Sequence, residues 1–320
     1  MLQPFDISGV KVLSEQVIQS IWGNYGQVVR LTLQHDEYQQ VVSKQIAFPQ
    51  PAQHPKGWNT ARSHHRKLKS FEVELNWYKH YSLQYDQHCL MPLGLQCDID
   101  QESMNLVMSD LASLGLTQTY SQAELPLWKT CLDWLAHFHA KHFGQTGEGL
   151  WQVGGYWHLE TRPDELAAME DSPLKQHAHT IDNMLRGAKY QTLIHGDAKL
   201  ANFCFSPSGD KAGAVDFQWS GKGCGIIDVA LFVSSCVPLA RAEQWEDELL
   251  NYYFKQLTQA FSHYGIRVDA SAVETEWRSL YDVAWADFLR FVKGWSPQHW
   301  KICSYSEQKA AAVIRAIHAS

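Results

Sequence analysis

The chain has no CxxC pair, no HExxH segment, no internal repeat and no low-complexity tract. Its seven cysteines are scattered at positions 89, 97, 131, 204, 224, 236 and 303, and an odd number cannot all pair. The pattern argues against a disulfide framework and against a cysteine-based zinc site, and reduced thiols in a cytoplasm are expected. The longest nearly apolar run, from Val229 to Ala240, is too short to cross a bilayer. The opening residues, MLQPFDISGVKVLSEQ, lack a basic start and a long apolar stretch, so no signal peptide is expected. Positive charge is also scarce, with 27 Lys plus Arg against 34 Asp plus Glu and a net charge of −7. That balance argues against general binding to nucleic acid, whose phosphates require Lys and Arg.

What is present is 320 residues of globular composition, 45% hydrophobic and 19% charged. This is enough for about two domains and a large core without metal or disulfide support. Residues 27–34 alternate, with Val29, Leu31 and Leu33 on one face, and predict a strand. Residues 38–46 predict its partner across a turn at 35–37. Residues 48–60 hold three prolines and a glycine and predict a loop. Leu68, Phe71, Leu75 and Tyr78 recur at helical spacing over 64–81, and two further strands are expected at 91–97 and 104–108. Beyond them the pattern turns helical, at 122–142, 173–189 and from 239 onward. Short β-like runs interrupt it over 192–218. The expectation is an α+β, bilobal chain. Its β-rich N-terminal lobe spans residues 1–110, and its larger helical lobe spans 111–320.

The chemistry concentrates in TLIHGDAKLANFCF and AVDFQW. His195, Asp197, Lys199 and Asn202 crowd one short loop after an apolar strand. Asp216 follows at the end of the next apolar run. A hairpin between them would gather an amide oxygen and a carboxylate, a hard-oxygen pair suited to Mg2+ once a substrate phosphate completes the shell. Asp197 would orient a hydroxyl and take its proton, and Lys199 would balance charge on a transferring phosphoryl group.

The run His195-Gly196-Asp197-x-Lys199-x-x-Asn202, followed by Asp216-Phe217, resembles the catalytic and metal loops of protein-kinase-like small-molecule kinases. These include aminoglycoside phosphotransferases, choline kinases and ecdysteroid-kinase-like proteins. HGD rather than HRD favours the small-molecule branch. Asp216-Phe217-Gln218 departs from DFG and looks closest to the ecdysteroid-kinase-like group, and no APE segment follows. The resemblance implies an ATP- and Mg2+-dependent phosphotransferase with a small-molecule alcohol as acceptor and no obligate protein partner.

It also implies roles in the N-terminal lobe. Val41-Val42-Ser43-Lys44 occupies the place of the VAIK lysine. By alternation Val42 and Lys44 share a face, so Val42 would cover the adenine while Lys44 reaches the phosphates. Glu74 would pair with Lys44, and Glu72 is its rival on a different side of the helix. Gly23 and Gly26, in Trp22-Gly23-Asn24-Tyr25-Gly26, resemble the nucleotide-covering loop without the full GxGxxG. Met108 and Ser109 resemble the hinge. His195 would brace the loop. Asp228 is either a simple helix N-cap or, as the resemblance suggests, a buttress of the catalytic loop. A catalytically silent, kinase-shaped binding module is the alternative function. The Trp-rich C-terminal segments are read first as core, with a cage for a quaternary ammonium or walls for a flat alcohol as the other readings.

Overall fold

In a computed structural model, residues 6–21, 25–48, 61–84 and 86–319 are described. The chain is α+β and bilobal, with a β-rich N-terminal lobe and a mainly helical C-terminal lobe. It divides into two compact units, Met1–Gln118 with Cys204–Gln218, and Thr119–Phe203 with Trp219–Ser320. No described helix is long and apolar enough to cross a membrane.

The first unit holds β1 (Lys11–Ile21), β2 (Gly26–Gln34), β3 (Gln40–Ala47), α1 (Ala61–His80), β4 (Gly94–Ile99) and β5 (Ser103–Ser109). The strands form an antiparallel sheet in the order β1-β2-β3-β5-β4. Val29, Leu31 and Leu33 do share a face, and they bury it against Val41 and Val107. The opposite face follows from the pairings Val28↔Lys44, Arg30↔Val42, Lys44↔Leu106 and Val42↔Met108. Residues directly paired across strands project to the same side. Val42 and Lys44 thus lie beside Leu106 and Met108.

The sequence pattern misses β1. Register shifts between Val12 and Ser14 and between Val17 and Gln19 break its two-residue period. Its residues are exposed on both faces apart from Ile21, so no apolar stripe marks it. The sheet therefore has one strand more than the order strand, strand, helix, strand, strand. The expected loop at 48–60 lies outside the described residues except for Phe48.

The second unit begins with α2 (Leu125–Lys141), α3 (Pro163–Ala168), α4 (Pro173–Gln176) and α5 (Ala178–Arg186), then β6 (Thr192–Ile194). The single helix expected at 173–189 is two, meeting at His177, which ends α4 and precedes α5. The chain next forms the β7–β8 hairpin (Phe203–Phe205 and Ala212–Ala214), and β9 (Gly221–Gly223) pairs back with β6. The rest is helical: α6 (Ile226–Cys236), α7 (Ala242–His263), α8 (Ala270–Ser279), α9 (Tyr281–Trp295) and α10 (Ser304–Ala319). α9 is the hub, packing against α3, α5, α6, α8 and α10, while α7 lies along α2. Trp277 and Trp285 are core residues, whereas Trp300 is exposed.

Residues 204–218 join the sheet unit through specific contacts. Phe205 bridges Gln118, and Gly213 bridges Leu90. Phe217 stacks on Trp77 of α1 at 4.6 Å and 5°, with Tyr78 edge-on at 5.9 Å. All three rings are essentially inaccessible to solvent. Phe217→Ala should therefore cost about 3–5 kcal/mol, the usual range for emptying a buried aromatic site. Urea denaturation followed by tryptophan fluorescence would measure it, and a loss under about 1 kcal/mol would contradict the packing.

Candidate active site

The sheet unit supplies a buried charge cluster. Lys44 Nζ lies 2.6 Å from Glu74 Oε2 and 3.5 Å from Asp216 Oδ1. Lys44 is 6% exposed and Glu74 1%. Glu72, the rival carboxylate, is instead exposed and pairs with Lys69 at 3.1 Å. Burial pushes the Lys44 ammonium down, but Glu74 and Asp216 pull harder, so its pKa ends above its usual value. Burial raises Glu74 to about 6 against the pull of Lys44. The cluster is thus a retained cation whose glutamate partner titrates not far below neutrality.

Asp216 has φ 71°, the one described non-glycine residue with positive φ. Such left-handed backbone costs of order 1–3 kcal/mol and persists only where neighbours enforce it. Phe217, locked on Trp77, is one enforcer. Gln218 is another: its amide nitrogen hydrogen-bonds Asp216 Oδ1, and its oxygen accepts from Lys67 Nζ at 2.9 Å and Ser70 Oγ at 3.2 Å. A glycine at position 218 would provide none of these contacts.

Among the remaining sheet-unit candidates, Met108 and Ser109 end β5. Ser109 N–H donates to Leu93 O at 2.9 Å, and Leu93 N–H donates to Ser109 Oγ at 2.8 Å. The N–H of Ser109 is therefore not the group that an adenine edge would meet. Gly26 opens β2 with φ 146°, and a Cβ there would stand 1.9 Å from Gln45 O. Strand packing alone demands this glycine. Gly23 lies outside the described residues.

The helical unit supplies the loop that follows β6. Asp197 is 5% exposed and pairs with Lys199 Nζ at 2.6 Å. Asn202 donates from Nδ2 to Asp197 O at 2.8 Å and to Asp197 Oδ2 at 3.1 Å. With its nitrogen committed to the loop, the Asn202 amide has its oxygen to offer as a ligand. An amide oxygen is a donor of the hard type that Mg2+ accepts. Among the described residues no group of three or more His, Cys, Asp or Glu is placed to hold a metal.

The backbone of this loop hangs on Asp228. The fully buried carboxylate accepts from His195 N–H at 2.6 Å (Oδ2) and Gly196 N–H at 2.9 Å (Oδ1). His139 Nε2 meets Oδ2 at 3.2 Å, and Tyr253 hydroxyl meets His139 Nδ1 at 2.8 Å. Asp228 lies in the first turn of α6, where the helix dipole favours negative charge, but the N-cap position itself is Gly225. His195 Nδ1 in turn receives the Asp197 N–H at 3.3 Å. Gly196 has φ 78°, and a Cβ there would meet Trp219 O at 2.1 Å, so no other residue fits. Nothing along the sequence assigns this role to His139 or Tyr253. His139 lies on α2, and its contribution emerges only with α6 in place.

Comparison with known proteins bears on the fold and the loop. The ecdysteroid kinase-like family model matches residues 154–266, about a third of the chain. An ethanolamine kinase from Plasmodium vivax superposes with a TM-score of 0.51 at 10% identity, covering 97% of this chain and 85% of its own. A choline/ethanolamine kinase family protein from Mesorhizobium loti gives a TM-score of 0.43 at 15% identity, covering 97% of this chain and 88% of its own. An aminoglycoside phosphotransferase from Streptomyces rimosus, in complex with ADP and streptomycin, gives 0.42 at 14% identity, covering 80% of this chain and 90% of its own. No curated protein matches the chain significantly in sequence.

Two measurements test the site's physics. Asp228→Ala should lower stability by about 3–5 kcal/mol, because it strips buried N–H groups of their acceptor. A urea midpoint unchanged from wild type would exclude that role. Glu74 has a folded pKa of about 6, above its ordinary value of 4.5. The folded state therefore holds the extra proton, and this carboxyl's contribution to stability declines as pH rises from about 4 through 6. Glu74→Gln should remove that slope, which denaturant titrations across this pH range would reveal.

Proposed function

We propose that this chain belongs to the protein-kinase-like small-molecule kinase superfamily and transfers the γ-phosphoryl group of ATP to a hydroxyl of a small molecule. The carrying observation is the buried Lys44, 2.6 Å from a helix glutamate and 3.5 Å from Asp216. A lysine held this way is oriented by carboxylates and retains its charge for phosphate oxygens. In this reading Val42, Met108 and Ser109 line the adenine, and Gly23 and Gly26 serve the phosphates. Asn202 and Asp216 are the Mg2+ ligands. When bound, that ion neutralises charge on the phosphates. Asp197 orients the acceptor hydroxyl and takes its proton, and Lys199, 2.6 Å from Asp197, stabilises the transferring group. His195 and Asp228 hold the loop in shape. Residues 1–110 and 111–320 act as nucleotide-handling and acceptor-handling lobes, and a cytoplasmic location belongs to the same reading.

One observation favours a second reading, a catalytically silent nucleotide-binding module. Gln218 hydrogen-bonds Asp216 Oδ1, one of the two oxygens this carboxylate could offer a metal. A silent module would bind nucleotide and turn over none.

Asp197→Asn should reduce kcat by at least about 100-fold, the scale of general-base catalysis, while sparing nucleotide affinity. Asp216→Ala should abolish the Mg2+-dependent part of ADP binding, measured by calorimetry with and without EDTA. Full activity in Asp197→Asn would overturn the assignment. Nucleotide binding without transfer to any compound in a broad alcohol panel would favour the silent module.

A further inference from the structure

A series of contacts within the helical unit leaves the loop at Gly196 and returns to it at Leu200, and it carries a cation that the catalytic assignment does not use. Tyr156 N–H donates to Gly196 O at 3.1 Å, which sets the Tyr156 ring beside the catalytic loop. Tyr156 packs edge-on against Phe291 at 5.5 Å and Phe288 at 6.4 Å, both on α9. Lys301 Nζ stands over the Phe288 ring at 5.0 Å and donates to Ser234 Oγ at 3.0 Å. The next residue on α6, Ser235, accepts the N–H of Leu200 at 3.0 Å, which returns the series to the catalytic loop. Lys301 and the loop are thus anchored on consecutive side chains of one helix.

The charges agree with that placement. Burial pushes the Lys301 ammonium down to about 8, the Asp197 carboxylate pulls it up and the Lys199 ammonium pushes it down. The Tyr156 phenol is raised, first by burial and then by the same Asp197 carboxylate. Both side chains therefore sit in the field of Asp197.

Lys301 differs from the other cations here. Lys199 pairs with Asp197 at 2.6 Å, and Arg162, which stacks over Trp219 and Phe291, pairs with Glu165 at 3.0 Å. Lys301 has no carboxylate within ion-pair distance among the described residues. The one hydrogen-bond partner of its ammonium among them is a neutral hydroxyl, though an ammonium carries three donors. A half-buried ammonium without a counter-ion is costly unless something supplies one. The Phe288 and Trp300 rings, 5.0 and 5.5 Å from the ammonium, attract it through their π faces but carry no formal counter-charge.

We propose that Lys301 determines acceptor specificity by binding an oxyanion of the substrate, so that the preferred acceptors are hydroxy acids with an apolar or aromatic body rather than amino alcohols. The proposal rests on the kinase reading for the identity of the acceptor side. A cationic acceptor would bring like charge toward Lys301 and Lys199. An anionic one would complete the ion pair that the chain leaves open, with Tyr156, Phe288 and Phe291 flanking the body.

The test uses the full chain and three matched probes: 3-phenyllactate, its primary amide and phenylalaninol. Calorimetric titration in the presence of ADP and Mg2+ should show phenyllactate binding at least tenfold tighter than either analogue. Lys301→Met should erase that preference, and Lys301→Arg should retain most of it. Melting curves of both variants should match or exceed wild type, since Met removes an uncompensated charge. Equal affinity for the three probes, preference for phenylalaninol, absence of saturable phenyllactate binding, or an unchanged preference in Lys301→Met would each overturn the proposal. Turnover assayed on the same samples separates the two claims. Lysine-dependent phenyllactate binding with no ADP formed from ATP, for any acceptor, supports the oxyanion site and refutes the kinase. Transfer to the amino alcohol with no oxyanion preference refutes the oxyanion site alone.

Discussion

One buried carboxylate organises the loop that follows β6. Asp228 has no access to water, and its oxygens accept the N–H groups of His195 and Gly196 while His139 caps one of them. A carboxylate stripped of solvent is tolerable only when hydrogen bonds replace its hydration, and here they come from the loop that it shapes. The carboxylate and the loop are mutually stabilising. Gly196 can then keep its left-handed backbone, Asp197 projects from a fixed point, and Asn202 clamps the far end of the loop back onto Asp197. Asp228 sits on α6, which α9 packs against, so the precision of the loop derives from the helical core.

The sheet unit solves a different problem, which is to hold a lysine indoors while keeping it charged. Glu74 provides the close counter-charge and Asp216 a second, more exposed one. That arrangement sets two carboxylates against one ammonium and so keeps Lys44 protonated. It also places Asp216 where Phe217 and Gln218 control it, the first through stacking and the second through a hydrogen bond. Backbone strain at Asp216 is the cost of directing its carboxylate independently of the strand that precedes it.

Much of this was legible in the sequence because the relevant residues are close together along it. His195 to Asn202 span a single turn of loop, so residue types alone announce their chemistry. Lys44 is readable because strand alternation couples it to Val42, and Glu74 because helical spacing ties it to Phe71 and Tyr78. Other features depend on distant partners and leave no local trace. β1 is hidden by two bulges that scramble its alternation. The break at His177 interrupts a stretch whose apolar spacing would suit one continuous helix. Tyr156, Ser234 and Lys301 come from three separate segments, and only the packing of α9 and α6 brings them to one locality. The charge cluster around Gln218 is equally silent, since a glutamine after a phenylalanine carries no sign of Lys67 or Ser70.

The membership of residues 204–218 in the sheet unit bears on how the chain can be divided. A polypeptide ending at residue 118 would contain every strand of the five-stranded sheet yet expose the indole of Trp77, the face that Phe217 covers. The complementary fragment would keep Phe203 on Trp134 and Phe232 but leave Phe205 and Phe217 without the sheet-unit partners they meet here. A division between the two units therefore crosses the chain at three points rather than one.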